Sequence, residues 1–175
     1  QINEQTSTPV TEVVASLPAS NIQIQNVSGT VTVKDSQHIS YEDVAAAVKE
    51  ATKVNVPSDR EIIELLPTEF IVDDFDGIQD PNDMVGMRLE MKAVAYTAPR
   101  NVMGNLRMAI AKAGLQLRDF VLTPLAYSKT ILDDGQQEFG TIILDMGAGH
   151  TTATVVHDHQ LKFLSTFPAG SDNIS

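Results

Sequence analysis

The sequence predicts a mixed fold of α+β or α/β class, and three observations carry that prediction. Met87, Leu89, Met91 and Ala93 alternate with Arg88, Glu90 and Lys92, the period of two that a half-buried strand requires. Val44, Val48 and Ala51 instead recur at helical spacing, as do Val102, Leu106, Ile110 and Ala113. Strand-like and helix-like stretches interleave along all 175 residues, of which 42% are hydrophobic. That length suits one ordinary domain or two small ones, and that apolar share can bury a core.

Taken in order, Gln1 to Pro9 is polar and turn-prone, expected to be a frayed or cut end. Val10 to Leu17 reads as a strand and Pro18 to Asn21 as a turn. Ile22 and Ile24, then Val31 and Val33, alternate with polar neighbours, which predicts two short strands with a bend at Gly29. Ser40 opens a helix: its hydroxyl can cap a free N–H, and Asp43 three residues on completes a box-like pair. Ala45-Ala46-Ala47 favours helix and permits close packing on a sheet, and Asn55-Val56-Pro57 ends the element.

Glu61 to Val72 is the next strand candidate. Pro67 cannot donate to a ladder there, so it marks an edge or a break. Asp73 to Gly86, with two glycines and Pro81, predicts a loop before the strand Met87 to Tyr96. Pro99 suits the first turn of a helix and Gly114 its C-terminal stop. Phe120-Val121-Leu122 is a short buried strand, Thr123-Pro124 starts a helix, and Asp133-Asp134-Gly135 turns the chain. Thr141 to Asp145 is apolar on both faces, predicting a central strand. Thr151 to Val156 and Leu161 to Phe167 are two more strands, joined by a turn at His157 to Gln160.

Composition narrows the chemistry. Without cysteine there is no disulfide scaffold, Cys-ligated metal site or thiol nucleophile. No apolar run approaches the roughly 20 residues of a membrane-spanning helix. No serine has a histidine partner in a triad pattern. The net charge of −11 opposes nonspecific binding to nucleic acid. That charge is unevenly placed: between Asp59 and Glu90 ten acidic residues face only Arg60 and Arg88, a net −8. Pro99 to Arg118 carries +4 from Arg100, Arg107, Lys112 and Arg118. One reading is a solvated acidic face beside a basic helix. The other is a complementary pair of association patches, with Arg100, Arg107, Asp73, Asp74 and Asp76 as contact residues.

Asp145-Met146-Gly147-Ala148-Gly149-His150-Thr151-Thr152 is the most specific local signal. Glycines bring backbone N–H groups close to an anion, the threonine hydroxyls can add donors, and Asp145 can hold Mg²⁺ through water. The pattern runs into a strand and not a helix, so neither a Rossmann turn nor a Walker loop is present. A tight β-hairpin with an incidental aspartate is the alternative. His157 and His159 read as an exposed hairpin tip, with a metal pair as the weaker option. The Asp73 to Asp83 spacing does not fit a helix–loop–helix Ca²⁺ site. Met84, Met87, Met91, Met103 and Met108 read mainly as core, with a soft contact surface as the alternative.

Thr123 to Tyr127, Ile142 to Thr152 and Phe167 to Ser175 together resemble the second phosphate region of the actin and heat-shock chaperone ATPase superfamily. Val13 to Leu17, Ile39 to Val44, Pro57 to Ile62, Leu66 to Asp73, Gly77 to Pro81, Met84 to Arg88 and Asn101 to Gly114 narrow it. They resemble the bacterial cell-division FtsA family, in the right order and over nearly the whole chain from Val10.

That resemblance implies a strand-helix-strand-strand (SHS2) module inserted in a partial actin-like, ribonuclease H-like ATPase domain. Residues 1–24 would end subdomain 1A, 25–118 would be the SHS2 subdomain 1C, and 119–175 would start subdomain 2A. It further implies a protein that binds ATP and Mg²⁺, self-assembles, tethers the FtsZ ring to the inner face of the cell membrane at the septum, and recruits later division proteins through 1C. FtsZ docking through 2B, the membrane-reaching C-terminal helix and the rest of the ATP site would lie in other parts of a longer protein. An excised piece of that kind would be a recruitment module, not an enzyme, and would bind no nucleotide alone. An actin-like ATP-hydrolysing protein and a pilus-associated actin-like assembly protein are the alternatives. The loop departs from the family pattern at Ala148, His150 and Thr152, where glycine, Thr or Ser, and Asp are common; Ala148 requires a negative φ.

Overall fold

In the structure, a computed structural model that describes residues 10–54 and 56–173, β1 (Glu12–Leu17) forms where a strand is expected. Expectations for residues 1–9, Asn55 and residues 174–175 lie outside the described residues. A 3-10 turn (Ala19–Asn21) follows Pro18. β2 (Gln23–Thr32) is then one continuous strand, not two with a bend. The reason lies elsewhere in the chain. A Cβ at Gly29 would overlap the Ala47 carbonyl and the Ala51 amide, so this glycine admits a helix at very close range.

That helix, α1 (Tyr41–Val54), starts as its sequence predicts. The Ser40 N–H and hydroxyl donate to Asp43 Oδ2 at 3.0 and 2.6 Å, and the Asp43 N–H returns to Ser40 Oγ at 3.3 Å. The Lys34 N–H adds a bond to Asp43 Oδ1 at 3.3 Å. Asp43 is buried, and the bond from the Ser40 hydroxyl holds its carboxyl below the ordinary range against the opposing push of desolvation.

β3 (Arg60–Val72) runs unbroken through Pro67. β4 (Phe75–Ile78) lies inside what the sequence reads as a loop, and pairs with β3 only from Phe70 to Val72. Asp73 makes the tight connection possible at φ 53, and its Oδ1 accepts the Met87 and Arg88 N–H groups at 3.0 and 2.9 Å. β5 (Arg88–Pro99) follows. The sheet order is β2-β5-β3-β4, with β5 inside it.

Ala47 and Ala51 of α1 join Val27, Phe70, Val72, Leu89, Met91, Ala93 and Ala95 in one core, with Val44 and Val48 packed at its margin. Each fully buried large side chain contributes about 1.5–3 kcal/mol relative to exposure. Met87, expected on the buried face, is exposed just before β5 begins. At the far end of the sheet, buried Arg60 donates to Thr97 Oγ1 at 2.9 Å and to the Thr97 carbonyl at 2.7 Å.

The chain divides into two compact units, Ile24–Thr97 and the flanking residues on either side. In the flanking unit, α2 (Arg100–Lys112) ends where Gly114 takes φ 76. Met103 is its buried residue; Val102, Leu106 and Ile110 are half-buried and Ala113 is exposed. β6 (Gln116–Leu122) pairs in parallel with β1. The expected module extends to Arg118, whereas α2 and β6 cluster with β1 because that parallel pairing binds them there.

α3 (Thr123–Ile131) begins at Thr123-Pro124, but the Thr123 hydroxyl donates to the Leu17 carbonyl at 3.4 Å instead of capping the helix. Asp133 does not merely turn the chain. Its side chain accepts the Gln136 N–H at 2.8 Å while Gln136 Oε1 accepts the Asp133 N–H at 3.0 Å, opening α4 (Asp134–Phe139).

β7 (Thr141–Met146), β8 (Thr151–His157) and β9 (Gln160–Phe167) form an antiparallel sheet with β7 at its edge, not central. Its apolar residues divide between two different faces. Ile142, Leu144 and Met146 are 66%, 59% and 68% exposed, in register with Phe163 and Phe167 across β8. Thr154, Val156 and Leu161 line the other, buried face.

Because the folded-state Asp43 carboxyl is depressed, its stabilisation is present above the unfolded value of about 3.9 and lost as pH falls through the lower folded value. We expect the urea midpoint of the chain to fall as pH drops from about 5 to about 2. Asp43→Asn should cost about 1 kcal/mol at neutral pH and flatten that decline, as read by circular dichroism.

Candidate functional site

The octet Asp145 to Thr152 is a β-hairpin, and its backbone defines the site. Asp145 stands opposite Thr152 and Met146 opposite Thr151, so Gly147 to His150 form the loop, closed by the Gly147 N–H on the His150 carbonyl at 2.9 Å. Ala148 is not among the residues with positive φ, so its methyl group is accommodated without backbone strain. The N–H groups of Ala148, Gly149 and His150 have no hydrogen-bond partner among the described residues, and all three residues are exposed.

The second motif segment locks this loop. Ser171 and Asp172, in a 3-10 turn (Ser171–Asn173), donate their N–H groups to the carbonyls of Gly147 and Ala148, each at 3.0 Å. The Gly170 N–H donates to Asn173 Oδ1 at 3.0 Å, and a Cβ on Gly170 would overlap the Gly147 and Ala148 carbonyls. The Thr151 hydroxyl donates to the Ala169 carbonyl at 2.7 Å, which commits it to holding the two segments together. Thr152 shares a 3.3 Å hydroxyl pair with Thr166.

Around the hairpin lies an open cleft of about 200 Å³, lined by Asp145, Gly147, His150 and Thr152 from the loop and its strands. Ile143 and Thr154 continue the same sheet face, while Pro18, Ala19, Thr123, Pro124 and Tyr127 supply the opposite wall. The sequence signals Thr123 to Tyr127 by resemblance only. Ile143 is signalled in the same way, within Ile142 to Thr152. Pro18, Ala19 and Thr154 carry no site signal, because the topology and not their spacing brings them there. The cleft offers one carboxylate and hydroxyls, and the loop at its margin carries N–H groups without a partner among the described residues. That donor set fits a phosphate on the loop with Mg²⁺ held through water by Asp145, since Mg²⁺ takes few protein carboxylates. No cluster of three potential metal-ligating side chains exists among the described residues. The volume lies below the roughly 300–1,000 Å³ of small-molecule sites.

The other candidates lie apart from this cleft. Asp74 and Asp76 are exposed, whereas Asp73 is half-buried and occupied by the backbone at the sheet end. Beside them, Lys92 donates to Glu69 at 2.8 Å and Gly77 N–H to the same carboxylate at 3.1 Å. These bonds hold the Glu69 carboxyl below its ordinary range. The bond to Glu69 raises the Lys92 ammonium, and the charges of Glu90 and Asp76 add to it. Asp80 is bonded to Asn82 at 2.6 Å, and Asp83 takes φ 65, so the acidic loop serves its own turns. Arg107 lies over the Phe120 ring at 5.2 Å and Arg100 is exposed at the start of α2. His157 and His159 flank a tight turn beside Asp158 and Asp134, at 3.0 and 3.8 Å. Met91 and Met103 are core, Met84 is half-buried at its margin, and Met87 and Met108 are exposed.

The family model of the SHS2 domain inserted in FtsA matches residues 19–97, which takes in the whole Ile24–Thr97 unit. Cell division protein FtsA of Enterococcus hirae is 40% identical across 100% of this chain, which covers 40% of that protein. The chain belongs to the FtsA family. The relatives of the same name in Streptococcus pneumoniae and Bacillus subtilis are 37% and 32% identical over 100% and 95% of the chain, and 38% of each relative is covered. The chain thus spans about 40% of the length of the curated relatives it matches. The solved PilM-PilN type IV pilus biogenesis complex contains an actin-like chain similar to 98% of this one at TM-score 0.59 and 13% identity, with 46% of that chain covered. That likeness shows the fold alone: an SHS2 module in an actin-like setting.

Gly170→Ala should displace the loop by overlapping the two carbonyls, at a cost of about 1–3 kcal/mol. The Ser171 and Asp172 amides should then lose protection from hydrogen exchange. Gly149→Ala, where a Cβ meets nothing within 4 Å, should leave both protected.

Proposed function

We propose that the chain supplies the assembly and partner-recruiting portion of an actin-like cell-division protein that tethers the FtsZ ring to the inner face of the membrane. The observation that carries this reading is the Ile24–Thr97 unit, which matches the FtsA insertion and closes a core of its own. Its acids Asp74 and Asp76 are exposed and leave a charged surface for later division proteins or a neighbouring subunit. Arg100 and Arg107 offer the opposite sign on the other unit. FtsZ docking and membrane attachment belong to parts of the longer protein outside this span.

Nucleotide handling is the second reading, favoured by the Ala148, Gly149 and His150 N–H groups, which have no partner among the described residues, in the loop that follows Asp145. ATP and Mg²⁺ would be held by the longer protein, in which this loop forms one side of the phosphate site. The small open cleft is too little wall for a whole nucleotide.

Two experiments test these readings. In the longer protein, Asp74→Lys with Asp76→Lys, and separately Arg100→Glu with Arg107→Glu, should weaken self-assembly or partner capture in sedimentation assays. Unchanged assembly and unchanged capture in both double variants would sink the patch assignment. Calorimetric titration of the 175-residue chain with Mg-ATP should show no binding tighter than millimolar. A micromolar affinity would make the segment a nucleotide-binding unit in its own right.

A further inference from the structure

Three large apolar side chains stand exposed at one end of the Ile24–Thr97 unit: Phe75 on β4, with Val85 and Met87 just before β5, at 74%, 63% and 67%. The fold sets them beside one another. Phe75 lies opposite Val72 in the β3–β4 ladder, and Met87 stands two residues before buried Leu89. Both therefore continue the α1 face of the sheet past the end of the core that Val72 and Leu89 share. Gly86, between Val85 and Met87, packs so closely that a Cβ there would overlap the Val72 side chain, and Asp73 holds the Met87 N–H. An exposed apolar cluster of this kind marks a contact surface, whereas scattered single residues do not.

The charge around the cluster has one sign. From Asp73 to Asp83 there are five aspartates and no lysine or arginine. The basic side chains of β5 and of the segment after β2 are already paired: Arg88 with Glu90 at 2.6 Å, Lys92 with Glu69 and Lys34 with Glu42, each at 2.8 Å. The Asp74 carboxylate, next to Phe75 in the chain, has no hydrogen-bond or ion-pair partner among the described residues. Asp83, two residues before Val85, is exposed and meets His38 at 3.3 Å.

That sign selects the occupant. Anionic lipid, nucleic acid and a second copy of a chain of net −11 are all repelled. A neutral apolar ligand would draw carboxylates out of water and give them no partner. We infer that this end of the module binds a basic segment of a partner protein, in which lysines or arginines flank a large apolar side chain. The apolar side chain covers Phe75 and Met87, and the cations pair with Asp74 and Asp83. The inference rests on the recruitment reading of the acidic segment and gives its partner a chemistry.

The 175-residue chain can be titrated with labelled peptides of equal length that alternate lysine with leucine, lysine with serine, or glutamate with leucine. Fluorescence anisotropy should show binding of the lysine–leucine peptide, with the other two about tenfold weaker or worse. Phe75→Ser and Met87→Ser should each weaken that binding about tenfold, the loss of one covered anchor. Asp74→Asn with Asp83→Asn should weaken it about threefold to tenfold and flatten its decline with added salt. All four side chains are exposed, so circular dichroism should report an unchanged fold. Equal binding of the lysine–serine peptide, or no binding of the lysine–leucine peptide, overturns the inference. So does binding that Ile142→Asp on the β7 face removes and Phe75→Ser leaves intact. If the lysine–leucine peptide fails while Asp74→Lys with Asp76→Lys still disrupts the longer protein's assembly, the inference falls and the recruitment reading stands. If the peptide binds through Phe75 while assembly and capture stay unchanged, the surface takes a basic segment and the recruitment reading falls.

Discussion

The close approach of α1 to β2 is the constraint on which the rest of the Ile24–Thr97 unit depends. Gly29 provides the space, Ala47 and Ala51 occupy it, and the Ser40–Asp43 cap fixes where the helix begins. With the helix axis drawn so near the sheet, β5 can sit inside the sheet with Leu89, Met91, Ala93 and Ala95 buried beneath it. A larger residue at any of the three contact positions would lift the helix and open the core that β3 and β5 share. The module is thus specified by small side chains more than by large ones.

The flanking unit is organised around one two-sided strand. Along β7, Ile143 and Asp145 face the cleft with Thr152 and Thr154, while Ile142, Leu144 and Met146 alternate onto an exposed apolar face. The same period of two therefore produces a cleft-facing surface and an apolar surface of a kind rarely left bare. The loop that follows β7 is held in shape by Ser171, Asp172 and Thr151, whose donors satisfy its carbonyls and the adjoining Ala169 carbonyl. What remains without a partner among the described residues are N–H groups, which is the electrostatic sense an anion needs. The cleft encloses too little volume to act as a complete small-molecule site.

Local signals in the sequence were readable where the physics is local. The Ser40–Asp43 cap, the Pro99 and Gly114 helix limits, and the period of two through Leu89, Met91 and Ala93 all depend on neighbours a few residues away. Gly29 reads as a bend because its true cause, α1, is distant in sequence. β4 hides in an Asp- and Gly-rich stretch because Asp73 and Gly77 adopt positive φ while Phe75 and Ile78 pair with β3. β7 looks central because Ile142, Ile143 and Leu144 are apolar in succession; only the sheet order shows that one of its faces is uncovered. At the site, the Asp145 to Thr152 octet was visible as a loop. Resemblance joined Phe167 to Ser175 and Ile142 to Thr152 to the same region, but the clamp that Gly170 to Asp172 places on the loop, and the wall from Pro18 and Ala19, depend on chain segments brought together by folding.

The central claim is that Ile24–Thr97 is a self-contained module set within a segment of actin-like fold. Native-state hydrogen exchange on the 175-residue chain in rising urea tests it most directly. Amides of α1 and of Leu89 to Ala95 should share one opening free energy and one urea dependence, distinct from those of β7, β8 and β9. A single isotherm uniting all of these amides would contradict the claim and make the chain one cooperative body.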